Sequence, residues 1–271
     1  MTGNVSADTD IPKRTVLELR HIGKTFRSDA GRAVRALEGA NLTVHQGQFI
    51  TLLGATGCGK TTLLNLVAGI EKPDAGEFRL GDQVGSGRNI AYVFQHYTLF
   101  PWRTTSANVS FGLQMRGLPR QKRKTVAAEL LAKVGLAGFE KAYPHELSGG
   151  MRQRAAIAQA LAIGPKLLLM DEPFGAVDDA TRTELQHMLT ELWMQEHMTI
   201  VFVTHNIDEA IVLGSRVIVM GGRPGTIVRK YEVDLPRPRD KQAAEFTQLF
   251  IKIRESLSQE PHQERNGKLG T

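Results

Sequence analysis

Hydrophobic and polar positions change period several times along the chain, and each change marks an element. Alternation over residues 16–19 predicts a short strand, and residues 36–44 and 48–53 read as further strands separated by turn residues. A helix is predicted over 61–68, then strands over 76–80 and 90–94, the second ending at Gln95. From residue 105 the period is helical, over 105–115 and again over 121–134, and an alanine-rich helix comes next over 151–163. The short, wholly apolar runs 167–170 and 199–203 fit strands buried on both faces. A helix over 178–196 separates them; strands at 215–220 and 226–231 and a helix over about 241–257 complete the pattern. Strands mixed with helices predict an α/β domain, with the helical stretch of about 96–160 inserted into it. Residues 1–13 read as a disordered lead, 14–235 as the principal domain and 236–271 as a C-terminal helix with a polar tail.

Composition adjusts this picture only at its edges. At 271 residues, 41% hydrophobic and 23% charged, the chain has the balance of a globular protein able to bury a sizeable core. No apolar run reaches about eighteen residues, so no membrane span is expected. The polar residues 1–10, with Asp8 and Asp10, lack the apolar centre of a secretory signal. Cys58 is the single cysteine, which rules out an internal disulfide and agrees with a reducing compartment. The net charge of +6 raises the question of nucleic acid or anionic lipid. Basic residues are scattered apart from short clusters at 120–124 and 237–239, with no RNA-binding signature or basic aromatic platform beside them. A solvated or membrane-adjacent basic face is therefore expected, and no nucleic-acid partner.

The chemistry concentrates in four places. Residues 54–62 read GATGCGKTT, a phosphate-binding loop of the form glycine, four free positions, glycine, lysine, threonine, led in by an apolar strand and led out by a helix. Gly54, Gly57 and Gly59 let the backbone turn so that successive N–H groups cradle an anion, and the next helix adds its positive end. Lys60 is placed to reach β- and γ-phosphates, and the Thr61 hydroxyl to hold Mg2+. A second anion-binding helix start lies in LSGGMRQR, where Ser148 is a natural N-cap and Gly149 and Gly150 expose N–H groups. It does not obviously reach phosphates already held by residues 54–62, so it is expected to serve a nucleotide bound by another copy. The buried strand 167–170 ends in Asp171 and Glu172, two carboxylates where open α/β sheets bind ligands: Asp171 for Mg2+ through water, Glu172 to polarise an attacking water. Strand 199–203 ends at Thr204 and His205, in position to touch a γ-phosphate. Phe26, upstream of the loop, is either an adenine-stacking aromatic or a core phenylalanine.

The ordered set GATGCGKTT, Gln95, LSGGM, LLLMDEP, GAVD and THN resembles the ATP-binding cassette ATPases over about residues 15–235. The resemblance implies a P-loop NTPase fold: a RecA-like core, an antiparallel β-subdomain and an inserted helical subdomain. It implies ATP and Mg2+ as ligands and a head-to-tail dimer that sandwiches ATP between the phosphate loop of one copy and LSGG of the other. Carried over by position, Phe26 would stack on adenine, and Gly54, Ala55, Thr56, Gly57, Cys58, Gly59, Lys60, Thr61 and Thr62 would hold the phosphates. Thr61, Gln95 and Asp171 would serve Mg2+, Gln95 sensing the attacking water as well. Ser148, Gly149 and Gly150 would contact the partner's γ-phosphate, and Asp178 would lie in the loop joining the two sites. Glu172 would be the general base and His205 the switch histidine. Thr56, Met151 and Val177 depart from commoner residues without removing a phosphate or metal contact.

FPWR after Gln95, DEPFGAVD, the Leu192–Trp193 pair, HNIDEAI, GGRPG and DLPRPRD look like importer ATPases of the nitrate, sulfonate and taurine group. That implies a peripheral protein on the cytoplasmic face of the inner membrane, working with transmembrane permease subunits and an extracytoplasmic solute-binding protein on a small anionic solute. Phe100 and Trp102 would meet the permease's coupling helix, with core packing as the alternative. Exporter or lipid-transfer ATPases share the same chemistry. A clamp on nucleic acid or ribosome is a further alternative, against which stand a single phosphate loop and the lack of sustained heptads.

Overall fold

The computed structural model describes residues 14–27, 31–85, 89–95 and 98–258. Its larger sheet has six strands in the order β5–β6–β7–β3–β8–β9. Of these β3 (Phe49–Leu53), β5 (Ile90–Val93), β6 (Leu167–Asp171), β7 (Thr199–Thr204) and β8 (Arg216–Gly221) run parallel, and β9 (Thr226–Glu232) returns antiparallel on β8. Every residue of β3, β6 and β7 is buried, as expected of strands covered on both faces. Their side chains divide by the strand period of two. Phe49, Leu168, Met170, Ile200 and Phe202 face one core, built with α5 (Gly149–Leu161) and α6 (Asp179–Glu196). Ile50, Leu52, Leu167, Leu169, Val201 and Val203 face another, built with α1 (Lys60–Val67) and the smaller sheet.

That smaller sheet is antiparallel, in the order β2–β1–β4, from β1 (Thr15–Arg27), β2 (Ala33–His45) and β4 (Ala75–Leu80). The pattern predicted a strand over only 16–19, yet β1 runs for thirteen residues. Register shifts between Leu19 and Ile22 and on to Lys24, with His21 at φ 51, reset the alternation, so the continuous strand does not show a continuous period.

Between β5 and β6 the chain forms the helices α2 (Thr105–Val109), α3 (Phe111–Met115) and α4 (Arg120–Lys133), a 3-10 turn at Pro144–Glu146, and α5. Leu113, Leu131, Val134 and Leu147 from this layer share the core of α5 and α6. The predicted helix over 105–115 is broken at Ser110, where φ −81 and ψ 1 leave the helical basin and the hydroxyl donates back to Ser106 O at 2.8 Å. Such back-bonding competes with the helical ladder.

After β7 comes α7 (Ile207–Leu213) and, beyond β9, α8 (Ala244–Ser258), whose Phe246 and Ile253 pack with Leu53, Ile211, Val217 and Val219. The C-cap of α7, Gly214, is extended (φ −68, ψ 140), so no left-handed cap closes the helix. Two arginines do so instead. Arg237 donates to Val212 O (2.9 Å) and Leu213 O (2.5 Å). Arg239 donates to the carbonyls of Ile211, Val212 (3.2 Å), Gly214 (2.5 Å) and Val233 (2.9 Å). Burial lowers these guanidiniums to about 10 and about 9, still protonated at neutral pH, and the negative end of α7 offsets their charge. Trp193 adds its indole face to Arg237 (4.8 Å) and donates to Gly47 O at 3.0 Å, tying α6 to the same junction.

Removing the Arg239 fork leaves several shielded carbonyls unpaired. Arg239→Met is expected to lose about 2–4 kcal/mol, read as a lower urea midpoint at unchanged slope. Arg239→Lys should recover little of it, because an ammonium cannot span divergent carbonyls; a loss below about 0.5 kcal/mol would show that the fork carries no stability.

Candidate functional site

The carboxyl ends of β3, β6 and β7 meet at one edge of the sheet, and each delivers a charged or hydroxyl-bearing residue there. The chain leaves β3 at Leu53 and turns through residues 54–59 into α1. Gly59, at φ 89, occupies the left-handed region, and a Cβ on it would lie 2.6 Å from Leu37 Cδ2 and 2.8 Å from Ala36 O. At Gly54 a Cβ would lie 2.3 Å from Met220 O. The loop is thus threaded between β2 and β8 where only glycine backbone passes. Ala55, Thr56 and Gly57 are exposed, whereas Cys58 is buried in the core behind the loop, its N–H on Ala55 O at 3.3 Å.

Lys60 is folded back across the loop, its ammonium 2.8 Å from Gly54 O, 3.0 Å from Ala55 O and 3.9 Å from Glu172 Oε1. Thr61 Oγ1 donates to Asp171 Oδ1 at 3.2 Å, and Thr62 comes next, half-buried, in the first turn of α1. Burial raises the Asp171 carboxyl above the usual range, against the lowering effect of the Thr61 hydroxyl. The Tyr92 phenol donates to Asp171 Oδ2 at 3.4 Å and contacts Asn65 Oδ1 at 3.1 Å; burial and then the Asp171 charge hold it protonated.

Glu172 has φ 42, a left-handed conformation costly for a residue with a Cβ, fixed by its N–H on Val203 O at 3.1 Å. Held there, its carboxylate faces Lys60 on one side and meets His205 Nδ1 at 2.9 Å on the other. His205 directly succeeds β7, with Asn206 capping α7 through Glu209 N at 3.1 Å. Behind it the buried Glu209 accepts from Thr204 Oγ1 at 2.6 Å and pairs with Arg182 at 3.4 Å; burial raises its carboxyl. A cavity of about 60 Å³ among Glu172, Phe174, Arg182, His205 and Glu209 has room for a water.

The structure therefore gathers residues 54–62, Asp171, Glu172 and His205 at one edge. Gln95 is exposed just beyond β5, the neighbour of β6. Phe26 is on β1, exposed at its end opposite Val34, with the Lys24 ammonium 5.2 Å from its ring. Ser148 accepts from Met151 N at 3.2 Å and caps α5. Among the described residues no hydrogen bond or ion pair joins Ser148, Gly149 or Gly150 to residues 54–62. Their neighbour is the start of α6: a Cβ on Gly150 would lie 2.4 Å from Thr181 Cγ2, and Thr181 Oγ1 donates to Asp178 Oδ2 at 2.7 Å. Asp178 caps α6 by accepting from Thr181 N at 3.0 Å, which with the hydroxyl bond lowers its carboxyl.

Sequence reasoning passed over Tyr92, Arg182, Glu209 and Arg223. Tyr92 looks like any strand aromatic, and Arg182 and Glu209 like ordinary helix charges. Arg223, which donates to Thr56 O at 3.1 Å, sits in GGRPG, where the motif was visible but its approach to the loop was not.

Residues 37–175 match the ABC transporter family. An uncharacterized ABC transporter ATP-binding protein of Methanocaldococcus jannaschii is 45% identical over 259 residues, covering 93% of this chain and 97% of that protein. The nitrate import ATP-binding protein NrtD of Synechocystis sp. is 44% identical, covering 81% of this chain and 83% of its own length. The taurine import ATP-binding protein TauB of Rhizobium johnstonii is 40% identical, covering 89% and 95%. Among solved structures, the dimeric structure of the bacterial ABC transporter cassette MJ0796 superimposes with a TM-score of 0.70 at 30% identity, over 80% of this chain and 98% of that one. A glycine-cradled phosphate loop facing paired carboxylates, on a sheet of this order and with these relatives, has one reading: the chain belongs to the ABC transporter family and is one of its ATPases.

Proposed function

We propose that this chain is the ATP-hydrolysing subunit of an importer for a small anionic solute, acting as a head-to-tail pair against a membrane permease. The observation that carries the pairing is the separation of two anion-suited sites: residues 54–62 at the sheet edge, and the α5 start at Ser148–Gly150 packed on α6 instead. A nucleotide on the loop of one copy would meet the second start only on another copy, with Asp178 between the two sites.

The donor set fits Mg-ATP. The backbone of 54–59 and Lys60 suit the phosphates; Thr61, Asp171 and Gln95 offer the hard oxygen ligands that Mg2+ takes, directly or through water. Bound there, Mg2+ would neutralise charge between the β- and γ-phosphates. Lys60 exchanges the carbonyls of Gly54 and Ala55 for phosphate oxygens. Glu172, fixed by its strained backbone, orients and deprotonates the attacking water, and His205 positions that carboxylate while reaching toward the γ-phosphate. Phe26, on the rim of the smaller sheet, would take the adenine.

The permease contact is assigned to a shallow apolar groove of about 350 Å³ lined by Tyr92, Phe94, Phe100, Phe111 and Ile163. Phe100 packs at 4.7 Å on Phe111 and at 5.6 Å on Trp102, which is 72% exposed. An exposed aromatic beside an apolar groove suits a partner helix. Among the described residues no helix is long and apolar enough to cross a membrane. The relatives' nitrate and taurine import point to the solute class, and an extracytoplasmic solute-binding protein would complete the complex.

Lys60→Ala is expected to weaken ATP binding about 100-fold or more, measured by equilibrium titration, since two charge-assisted phosphate contacts are lost. Glu172→Gln should retain ATP, lose hydrolysis by about 100-fold or more, and shift from monomer to dimer on adding ATP in light scattering; a variant that stays monomeric would sink the sandwich. Deleting the gene should abolish growth on one anionic nitrogen or sulfur source among nitrate, cyanate, taurine and alkanesulfonates. Wild type should restore it and Lys60→Ala should not; a deletion that grows normally on all of them counts against the anion assignment.

A further inference from the structure

A second cavity, of about 460 Å³, lies on the helical layer between α2–α3 and α4, away from residues 54–62. Its lining includes four cationic side chains, Arg120, Arg123, Lys124 and Lys141, together with Ser106 and Ser110. Among the described residues none of the four has a carboxylate within ion-pair distance, unlike Lys133 and Arg154 nearby, which pair with Glu196 and Glu184. The one acidic residue on the wall, Glu140, turns its Oε1 to Gly138 N at 3.0 Å. Arg123 Nε is shielded from solvent without a hydrogen-bond partner, a donor in want of an acceptor. The four cations line one concavity large enough for an organic ligand, Arg123 partly buried in it and Arg120, Lys124 and Lys141 at its solvent-exposed rim.

We infer that this cavity is a binding site for a phosphate-bearing small anion. Arginine forks and lysine ammonium groups match an oxyanion with several acceptor oxygens, and the Ser106 hydroxyl on the α2 side adds a neutral donor. The volume leaves room for an organic portion beside the phosphate. Two sources share this chemistry, a free phosphorylated metabolite and a phospholipid headgroup. The cavity adjoins the aromatic groove: Gln114 on its wall accepts from Arg103 at 3.2 Å, and the Arg103 guanidinium lies 5.5 Å from the Phe100 ring and 4.8 Å from Phe111. A lipid source rests on the permease contact proposed above; the site itself does not.

The full chain, with excess ADP filling the phosphate loop, is titrated with inorganic phosphate by calorimetry. It is also co-sedimented with phosphatidylcholine vesicles with and without phosphatidylglycerol. Binding to either anionic probe is expected, and Arg123→Gln/Lys124→Gln should weaken it about tenfold or more while ATP hydrolysis by the purified chain is unchanged. Arg229→Gln/Lys230→Gln, an equal charge loss on β9, serves as the control and should bind as wild type. Phosphate binding that the cavity variant loses assigns a soluble anion; vesicle binding alone assigns the headgroup. Absence of binding to both probes, or equal losses in the cavity and control variants, overturns the site.

Discussion

Lys60 carries its charge almost out of contact with water, at 4% side-chain exposure, and the carboxyl edge of the sheet is organised around that fact. A buried ammonium needs compensating oxygens. Two come from the carbonyls of Gly54 and Ala55, which face inward because glycine lets the loop reverse there, and a more distant one from Glu172. The loop geometry, the strained backbone of Glu172 and the buried strands that deliver both are conditions on one another. Such an arrangement suits a competing anion, since phosphate oxygens could replace the loop carbonyls without first desolvating the lysine. The same desolvation raises Asp171, so a cation arriving beside Thr61 finds a carboxylate whose ionisation it favours.

The second anion-suited start is physically continuous with the first site, although no direct bond joins them among the described residues. Gly150 lies against Thr181, Thr181 bonds Asp178, and one residue on, Arg182 pairs with Glu209, which bonds Thr204 beside His205. In the proposed head-to-tail pair, a partner nucleotide that displaced the α5 start would press on α6, and through Arg182 on the turn that holds His205 against Glu172. Replacing Gly150 by any larger residue would meet Thr181 before it met a ligand, which explains glycine here by packing as well as by anion access.

The features legible in the sequence were the local ones. The phosphate loop, Ser148 as a cap, and Asp171–Glu172 at the end of an apolar strand come directly from spacing and period, and the structure brings the first and third of these together. The six-strand order was not legible, because nothing in the sequence of β3 says that β7 and β8 flank it. The pattern shows only part of β1 because its bulges break the alternation, and it shows 105–115 as one helix because a serine back-bond leaves no trace in the apolar period. Tyr92 and Arg223 reach the site through tertiary proximity alone, so no local rule would single them out.

The C-terminal arm shows the same limit from the other side. DLPRPRD reads locally as an extended, proline-punctuated linker, and by that reading α8 is an appendage. In the structure its two arginines complete α7, whose last carbonyls have no left-handed cap to serve them. Because α7 is capped by Asn206, directly after His205, the arm closes the far end of the helix that follows His205. Trp193 and Gly47 join that junction to α6 and to the entry of β3. The guanidinium fork is thus a distant substitute for a glycine cap, supplied by residues more than thirty positions downstream of His205.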